Sequence, residues 1–520
     1  IWVNQPYSHH KIIFKIKNNM IILKHTTCRF FISFLAFLIF NSYQSNAEFF
    51  KDISNILPDS NPRLSYGVGV SDFNQDGQYE FIVTGFKYPN LALSFEEGKL
   101  KNIINDPLFN DPTSSTIGIA ACDMDGDGHE ELYFLNTDTY SGKKKYSDRL
   151  LKYNNSEITD LFENNADPGE LNFTAGRSVV CVDRLGEGNY ATYVANYGGP
   201  TRFYEFKENK IKDIAPFLNI DRVTGGRAVV AGHIISDNMD IFAANERDAN
   251  FLYLNKSGQF ENVAEAYDIE DIFENGRGTA LSDILYRGRL DIITGNWESN
   301  HRIYVLNENK FEDISEEPFN IRSRVRTVIS ADFDNDGYDE IFVNNIGQAN
   351  RLYKILDNGI LKRIPFEIGR LPRGYGTGAA VADIDNDGVL ELLIAHGESK
   401  EQPIEIFKAN IDGRNEFLRV KPLNHFGAPA RGATVTLKSN LRTHSKTIDA
   451  GSGYLCQMEP VAHFGIRKNE KNINISIKWT NGEEVQFNNI ETNKTYTFKQ
   501  NDLNSILANK WNIFENLNKF

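Results

Sequence analysis

Cysteine is scarce in this sequence: four in 520 residues, too few for the dense disulfide scaffold that holds small secreted modules together. Basic residues are outnumbered 56 to 70, a formal charge of −14. The chain therefore lacks the positive excess that displaces counterions from a phosphate backbone, and nucleic acid is excluded as an expected partner. Long apolar runs are missing too. Phe30 to Phe40 spans only eleven residues, one of them Ser33, against the roughly 20 that cross a bilayer, so the mature chain is expected to have no membrane span. Residues 48–413 show no 3.6-residue apolar periodicity. What is present, 41% hydrophobic and 24% charged residues over a length beyond one average domain, describes a globular chain of more than one domain.

The first methionine is Met20, so residues 1–19 are read as a non-coding or extended leader. From Met20, a positive region with Lys24 and Arg29, the apolar run, and Ser45-Asn46-Ala47 have the order of a signal peptide over 20–47, which implies secretion to the extracellular space. Leaving out Lys11, Lys15, Lys17, Lys24 and Arg29 lowers the formal charge to about −19. Five N-x-S/T triplets, at Asn154, Asn172, Asn255, Asn474 and Asn493, fit a secreted glycoprotein.

Self-similarity carries the architecture. Four segments share D-x-[DN]-x-D-G-x-x-E: Asp72 to Glu80, Asp123 to Glu131, Asp332 to Glu340 and Asp383 to Glu391. Degenerate copies start at Asp183, Gly232 and Asp283, giving spacings of 51, 60, 49, 51, 49 and 51. Each unit adds an aromatic strand, as in Asn250 to Asn255, and a segment such as Phe260-Glu-Asn-Val-Ala264. Four short strands per ~50 residues match one propeller blade. The predicted fold is all-β: a seven-bladed β-propeller with calcium loops over 48–413, a small β domain over 414–499, and a tail over 500–520 with helix-like apolar spacing. Phe50 to Ser54 repeats the closing segment ahead of the first loop, so it is expected to complete the last blade.

Acidic side chains at loop positions 1, 3, 5 and 9 converge on one point, and glycine at position 6 permits the left-handed turn this needs. All-oxygen donors select Ca²⁺ over zinc or copper. The expected ligands are Asp72, Asn74, Asp76 and Glu80; Asp123, Asp125, Asp127 and Glu131; Asp332, Asp334, Asp336 and Glu340; and Asp383, Asp385, Asp387 and Glu391, about four sites. The loops with Leu185 and Glu187, Ile234 and Ser236, and Leu285 and Arg287 should be empty, Arg287 supplying the positive charge in the last. The ions are expected to brace the fold.

The loops resemble the FG-GAP/VCBS repeats of integrin alpha-chain propellers. FLRVKPLNHFGAPARGATVTL from Phe417, IDAGSGYLCQMEPVAHFGI from Ile448 and ISIKWTNGEEVQF from Ile475 resemble an ASPIC/UnbV domain. In this order, they resemble the cartilage acidic protein family of secreted matrix glycoproteins. That resemblance implies a calcium-binding extracellular protein, not an enzyme, presenting a propeller surface to a protein or glycan. The rival class is a calcium-dependent polysaccharide lyase or other sugar-processing enzyme on a similar propeller.

No catalytic residue is assigned. Cys456, Glu459 and His463 are read as structural, His425 and His444 as surface residues, and Trp297, His301 and Arg302 as packing rather than a binding patch. Arg177, Arg227, Arg277 and Arg326 stand at equivalent strand positions and are read as balancing buried acids rather than holding an anion. Cys122 and Cys181 precede the loops of adjacent repeats by one and two residues; proximity allows a disulfide, while the offset turns their side chains to opposite faces, so the pairing stays open.

Overall fold

The computed structural model describes residues 48–356, 360–366, 373–411 and 415–500. The leader, the signal peptide and nearly all of the tail lie outside the described residues. Among the described residues, no helix is long and apolar enough to cross a membrane.

Each repeat forms four antiparallel strands. The first sheet is Ser65–Ser71, Glu80–Gly85, Leu91–Glu96 and Lys99–Asn102. The same plan recurs from Thr116–Cys122, Gly176–Val182, Val223–Gly232, Gly276–Ser282 and Val325–Ala331. The third and fourth sheets also join through Tyr197 opposite Gly225 and Pro200 opposite Val223. In the seventh, Gly376–Ala382, Glu391–His396 and Glu405–Ala409 supply three strands, and Phe50–Asp52 supplies the fourth by pairing Phe50 with Ala409. The N-terminal segment thus occupies a sheet edge that would otherwise be unpaired.

The leading strand of each repeat is a run of small and β-branched residues because neighbouring sheets cover both its faces. Cores are shared between sheets one and two, two to four, four and five, five and six, and across six, seven and one. Thr377 Oγ1 of the seventh sheet donates to Ser65 O of the first at 2.8 Å. A Cβ on Gly378 would stand 2.2 Å from Tyr66 O, so only glycine permits this approach.

The C-terminal domain has a three-stranded sheet, in which Glu416–Leu423 pairs antiparallel with Ala462–Ile466 and parallel with Lys494–Lys499. A four-stranded sheet is ordered Thr443–Thr447, Thr434–Lys438, Asn474–Lys478, Glu484–Phe487. Leu418, Val435, Phe464, Ile477 and Trp479 fill its core. Between its strands, the segment around Tyr454 runs among the leading strands of the repeats. Ala450 O accepts from Cys181 N at 2.8 Å, Gly453 N donates to Thr279 O at 2.7 Å, and Gln457 N donates to Val68 O at 3.0 Å.

Three sequence readings resolve differently or further here. His444 is buried, edge-on to Tyr286 and Phe464, and is not a surface residue. Cys122 and Cys181 form a disulfide. Their sheets stack face to face, so side chains on opposite faces of their own sheets are the ones that meet. His301 is fully buried, Nδ1 accepting from Asn296 N at 3.0 Å and Nε2 lying 2.9 Å from Ser323 Oγ, which makes it a packing residue.

Candidate metal centres

Each acidic loop leaves a leading strand and turns back into the second strand of the same sheet. The turn is built from the same bonds each time. Glycine N at position 6 donates to position-1 Oδ2 at 3.0 Å in Asp72, 2.9 Å in Asp123, 2.9 Å in Asp332 and 3.0 Å in Asp383. Those glycines have φ between 85° and 93°, a region other residues enter at a cost. One oxygen of the position-9 glutamate accepts the position-2 N–H: Phe73 to Glu80 at 3.0 Å, Met124 to Glu131 at 2.8 Å, Phe333 to Glu340 at 3.0 Å, Ile384 to Glu391 at 2.9 Å. The other oxygen is left to face the loop.

The result is convergence. Ligand atoms of Asp72, Asp76 and Glu80 lie within 4.8 Å of one another, as do those of Asp123, Asp125 and Asp127, of Asp332, Asp334 and Asp336, and of Asp383, Asp385 and Glu391. Asn74 donates to Asp76 Oδ2 at 2.8 Å beside the first group. Glu131, Glu340 and Asp387 stand outside the tight groups but contact the lysine that lies in each. Glu80 Oε1 and Asp332 Oδ1 are fully buried without a hydrogen-bond partner. Burial and then repulsion from Asp72 push Glu80 up to about 9; burial and then Asp336 and Asp334 push Asp332 up to about 8. Orphaned, crowded, buried oxygens are the donor set a hard divalent cation fits.

Sequence reading missed the lysines. Lys152 contacts Asp125, Asp127 and Glu131; Lys354 contacts Asp334, Asp336 and Glu340; Lys408 contacts Asp385, Asp387 and Glu391. All three are the fourth residue of their sheet's third strand, where the first sheet has Ser94. A third-strand lysine thus accompanies each loop with four carboxylates, and Ser94 takes that place at the loop with three. Counting only the loop acids and that lysine, the formal charge is −3 in each set, and Arg419 adds a further positive charge against Asp383.

Two of the three degenerate loops, those from Asp183 and Asp283, keep the turn bond, and all three replace acids. Gly188 N and Gly288 N still donate to Asp183 and Asp283 Oδ2, at 2.8 and 2.7 Å. Arg287 holds Asp291 at 3.1 Å, and Ser236 Oγ donates to Asp240 Oδ1 at 2.8 Å.

The C-terminal domain sits on this loop side of the sheets. Thr480 Oγ1 donates to Asp183 at 2.6 Å, Ser445 N to Asp283 at 3.0 Å and Gly465 N to Asp332 at 2.9 Å, while Arg419 lies 2.8 Å from Asp383. Arg431, fully buried, binds Glu130 at 2.7 Å and also donates to Asp449 O, Met458 O and Val70 O. Lys446 reaches Asp339 at 2.5 Å. Glu130 and Asp339 each immediately precede a position-9 glutamate; that extra acid was the available signal. Glu459 is paired with Arg419, His463 lies 2.7 Å from Asn335, and burial pushes the Cys456 thiol up to about 11, so these three are docking and packing groups.

Residues 424–505 match the family model described as ASPIC and UnbV, and residues 283–343 and 332–394 match the FG-GAP-like repeat. The chain is 42% identical over 472 residues to Cartilage acidic protein 1 of Xenopus tropicalis, covering 82% of this chain and 73% of that one. It is 40% identical over 503 residues to the Homo sapiens protein of the same name, covering 88% and 76%. Among solved structures, the BP39L lectin from Burkholderia pseudomallei is 11% identical with a TM-score of 0.43, over 66% of this chain and 99% of that one.

Proposed function

The chain belongs to the cartilage acidic protein family, and from that premise we propose that it is a secreted, calcium-braced, non-enzymatic extracellular protein whose seven sheets are the blades of a propeller. The observation that carries this reading is the convergence of carboxylates within 4.8 Å at four loops, at least one of each set buried, with oxygens of Glu80 and Asp332 left unpartnered. Each set would hold one Ca²⁺ through aspartate, asparagine and glutamate oxygens. The ion would supply charge neutralisation that locks the loop to its sheet and to the domain seated on it. With the loop side occupied by the C-terminal domain, the opposite ends of the sheets are the surface left to meet a protein or glycan partner.

The test is a binding screen with the secreted chain against extracellular proteins and glycans, in Ca²⁺ and in chelator. Calcium-dependent capture together with a chelator-induced fall in melting temperature supports the reading. Turnover of an acidic polysaccharide would replace it with the enzymatic one, and identical melting in both buffers would remove calcium from it.

A further inference from the structure

The leading strands end at the acidic loops, so their beginnings lie at the other end of the sheets. Four of those beginnings carry an arginine: Arg177, Arg227, Arg277 and Arg326, in the third to sixth sheets. All four are buried, at most 8% exposed. They gather about Tyr454, at the tip of the segment that the C-terminal domain sends among the leading strands. Its hydroxyl lies 3.4 Å from Arg227 Nη1, and the Arg326 guanidinium is 5.9 Å from its ring.

The acids are too few to balance them. Glu246 serves both Arg227 and Arg277, the latter at 2.7 Å, and Glu398 serves Arg326 at 2.5 Å. Among the described residues, Arg177 donates to the carbonyls of Gly176 and Tyr140 and to no carboxylate. Four guanidinium groups thus share, among the described residues, two ion-paired carboxylates, and the Nε atoms of Arg277 and Arg326 have no hydrogen-bond partner there. Buried unpaired charge is costly enough that such a cluster calls for another anion.

A cavity of about 190 Å³ opens beside the cluster, walled by Arg177, Arg227, Arg326, Tyr66, Tyr140 and Tyr454, with the carboxylates of Glu398, already paired with Arg326, and Asp138 also on its lining. Tyr140, 62% exposed, stands at its rim and accepts from Arg227 Nη2 at 2.9 Å. We propose that this cavity binds an oxyanion, a sulfate ester or a carboxylate, carried on a sugar: the guanidinium fork takes the anion, and the aromatic walls take the ring face. The site is separate from the acidic loops and does not depend on their metal.

The experiment titrates the full secreted chain in low-chloride buffer with a sulfated heparin disaccharide, free glucuronate and inorganic sulfate, read by calorimetry. Saturable binding of the disaccharide or glucuronate is expected, weakened roughly tenfold or more in Arg177→Gln. The exposed rim variant Tyr140→Ala, which threatens no core, should also weaken it. Equal affinity for inorganic sulfate would overturn the sugar assignment. No saturable binding by any probe, or binding unchanged in both variants, would overturn the site, and a tyrosinate absorbance at neutral pH lost in Tyr454→Phe would show that the phenolate supplies the missing charge instead.

Discussion

Lys354 Nζ lies 2.5 Å from Asp334 Oδ2, inside the carboxylate set of the acidic loop in the sixth sheet. The ammonium and a divalent cation answer the same need, so the lysine lowers the charge available to the ion. Removing it as Lys354→Met should tighten calcium binding at that loop roughly tenfold or more, because a unit charge a few ångströms away is worth a few kcal/mol at an effective dielectric near 20. In chelator the same variant should melt earlier than wild type. Calorimetric titration checks the first effect and a melting curve the second. Ser94→Lys in the first sheet should weaken that loop.

The loop turn was legible because glycine and aspartate at fixed offsets constrain it locally: Gly337 and Asp332 need nothing from elsewhere in the chain to form it. The repeat period made the all-β organisation and the pairing of Phe50–Asp52 legible as well. What depended on two distant surfaces meeting was not. Lys354 comes from the strand after the loop's own hairpin, and Glu130 is an ordinary acid until Arg431, about 300 residues later, is laid against it. His444 looked exposed because its strand alternates beside polar neighbours; the docked loop side is what buries it. The four arginines were correctly aligned by spacing, but a count of their acids required Glu246 and Glu398 to be placed.

Two loop variants separate competent from degenerate copies. Asp385→Ala should remove one ion from the stoichiometry and part of the calcium-dependent rise in stability, up to ~2.7 kcal/mol at a hundredfold excess over Kd. Asp283→Ala should leave the ion count unchanged, because its loop already satisfies Asp291 with Arg287. Metal analysis by mass spectrometry on the native protein reads both. A count of seven ions, or of none, contradicts the division.

Arg431 ties the C-terminal domain to the sheets through Glu130 and three backbone carbonyls. Arg431→Met leaves Glu130 buried without its partner, which should cost about 3–5 kcal/mol. Calorimetric unfolding of the wild type is expected as one transition, since the segment around Tyr454 bonds to several sheets. The variant should separate it into two.

Asn172 and Asn255 are buried and already committed, Asn172 donating to Asp148 at 2.6 Å and Asn255 to Arg184 O at 3.0 Å. A folded chain cannot present either to a glycan. Asn154, exposed at a strand end, is the favourable acceptor. Glycopeptide mapping of secreted material should find Asn154 occupied and Asn172 and Asn255 bare, and Asn172→Gln should lower stability without changing glycan mass.

The disulfide between Cys122 and Cys181 joins the leading strands of the second and third sheets across a loop of 59 residues. Closing a loop of that length restricts the unfolded chain by about 4 kcal/mol in the chain-entropy description. Both sulfurs lie in the shared apolar core, so the bond is shielded from reductant while the sheets remain stacked. Replacing both cysteines with alanine should therefore lower the unfolding free energy by roughly 3–4 kcal/mol, with little effect on calcium stoichiometry because the loop bonds at Asp123 and Asp183 do not involve them. A reductant added to the folded protein should act only as fast as the sheets separate. Thiol labelling would follow the unfolding rate, and labelling that outpaces unfolding would place the bond nearer the surface than its burial indicates.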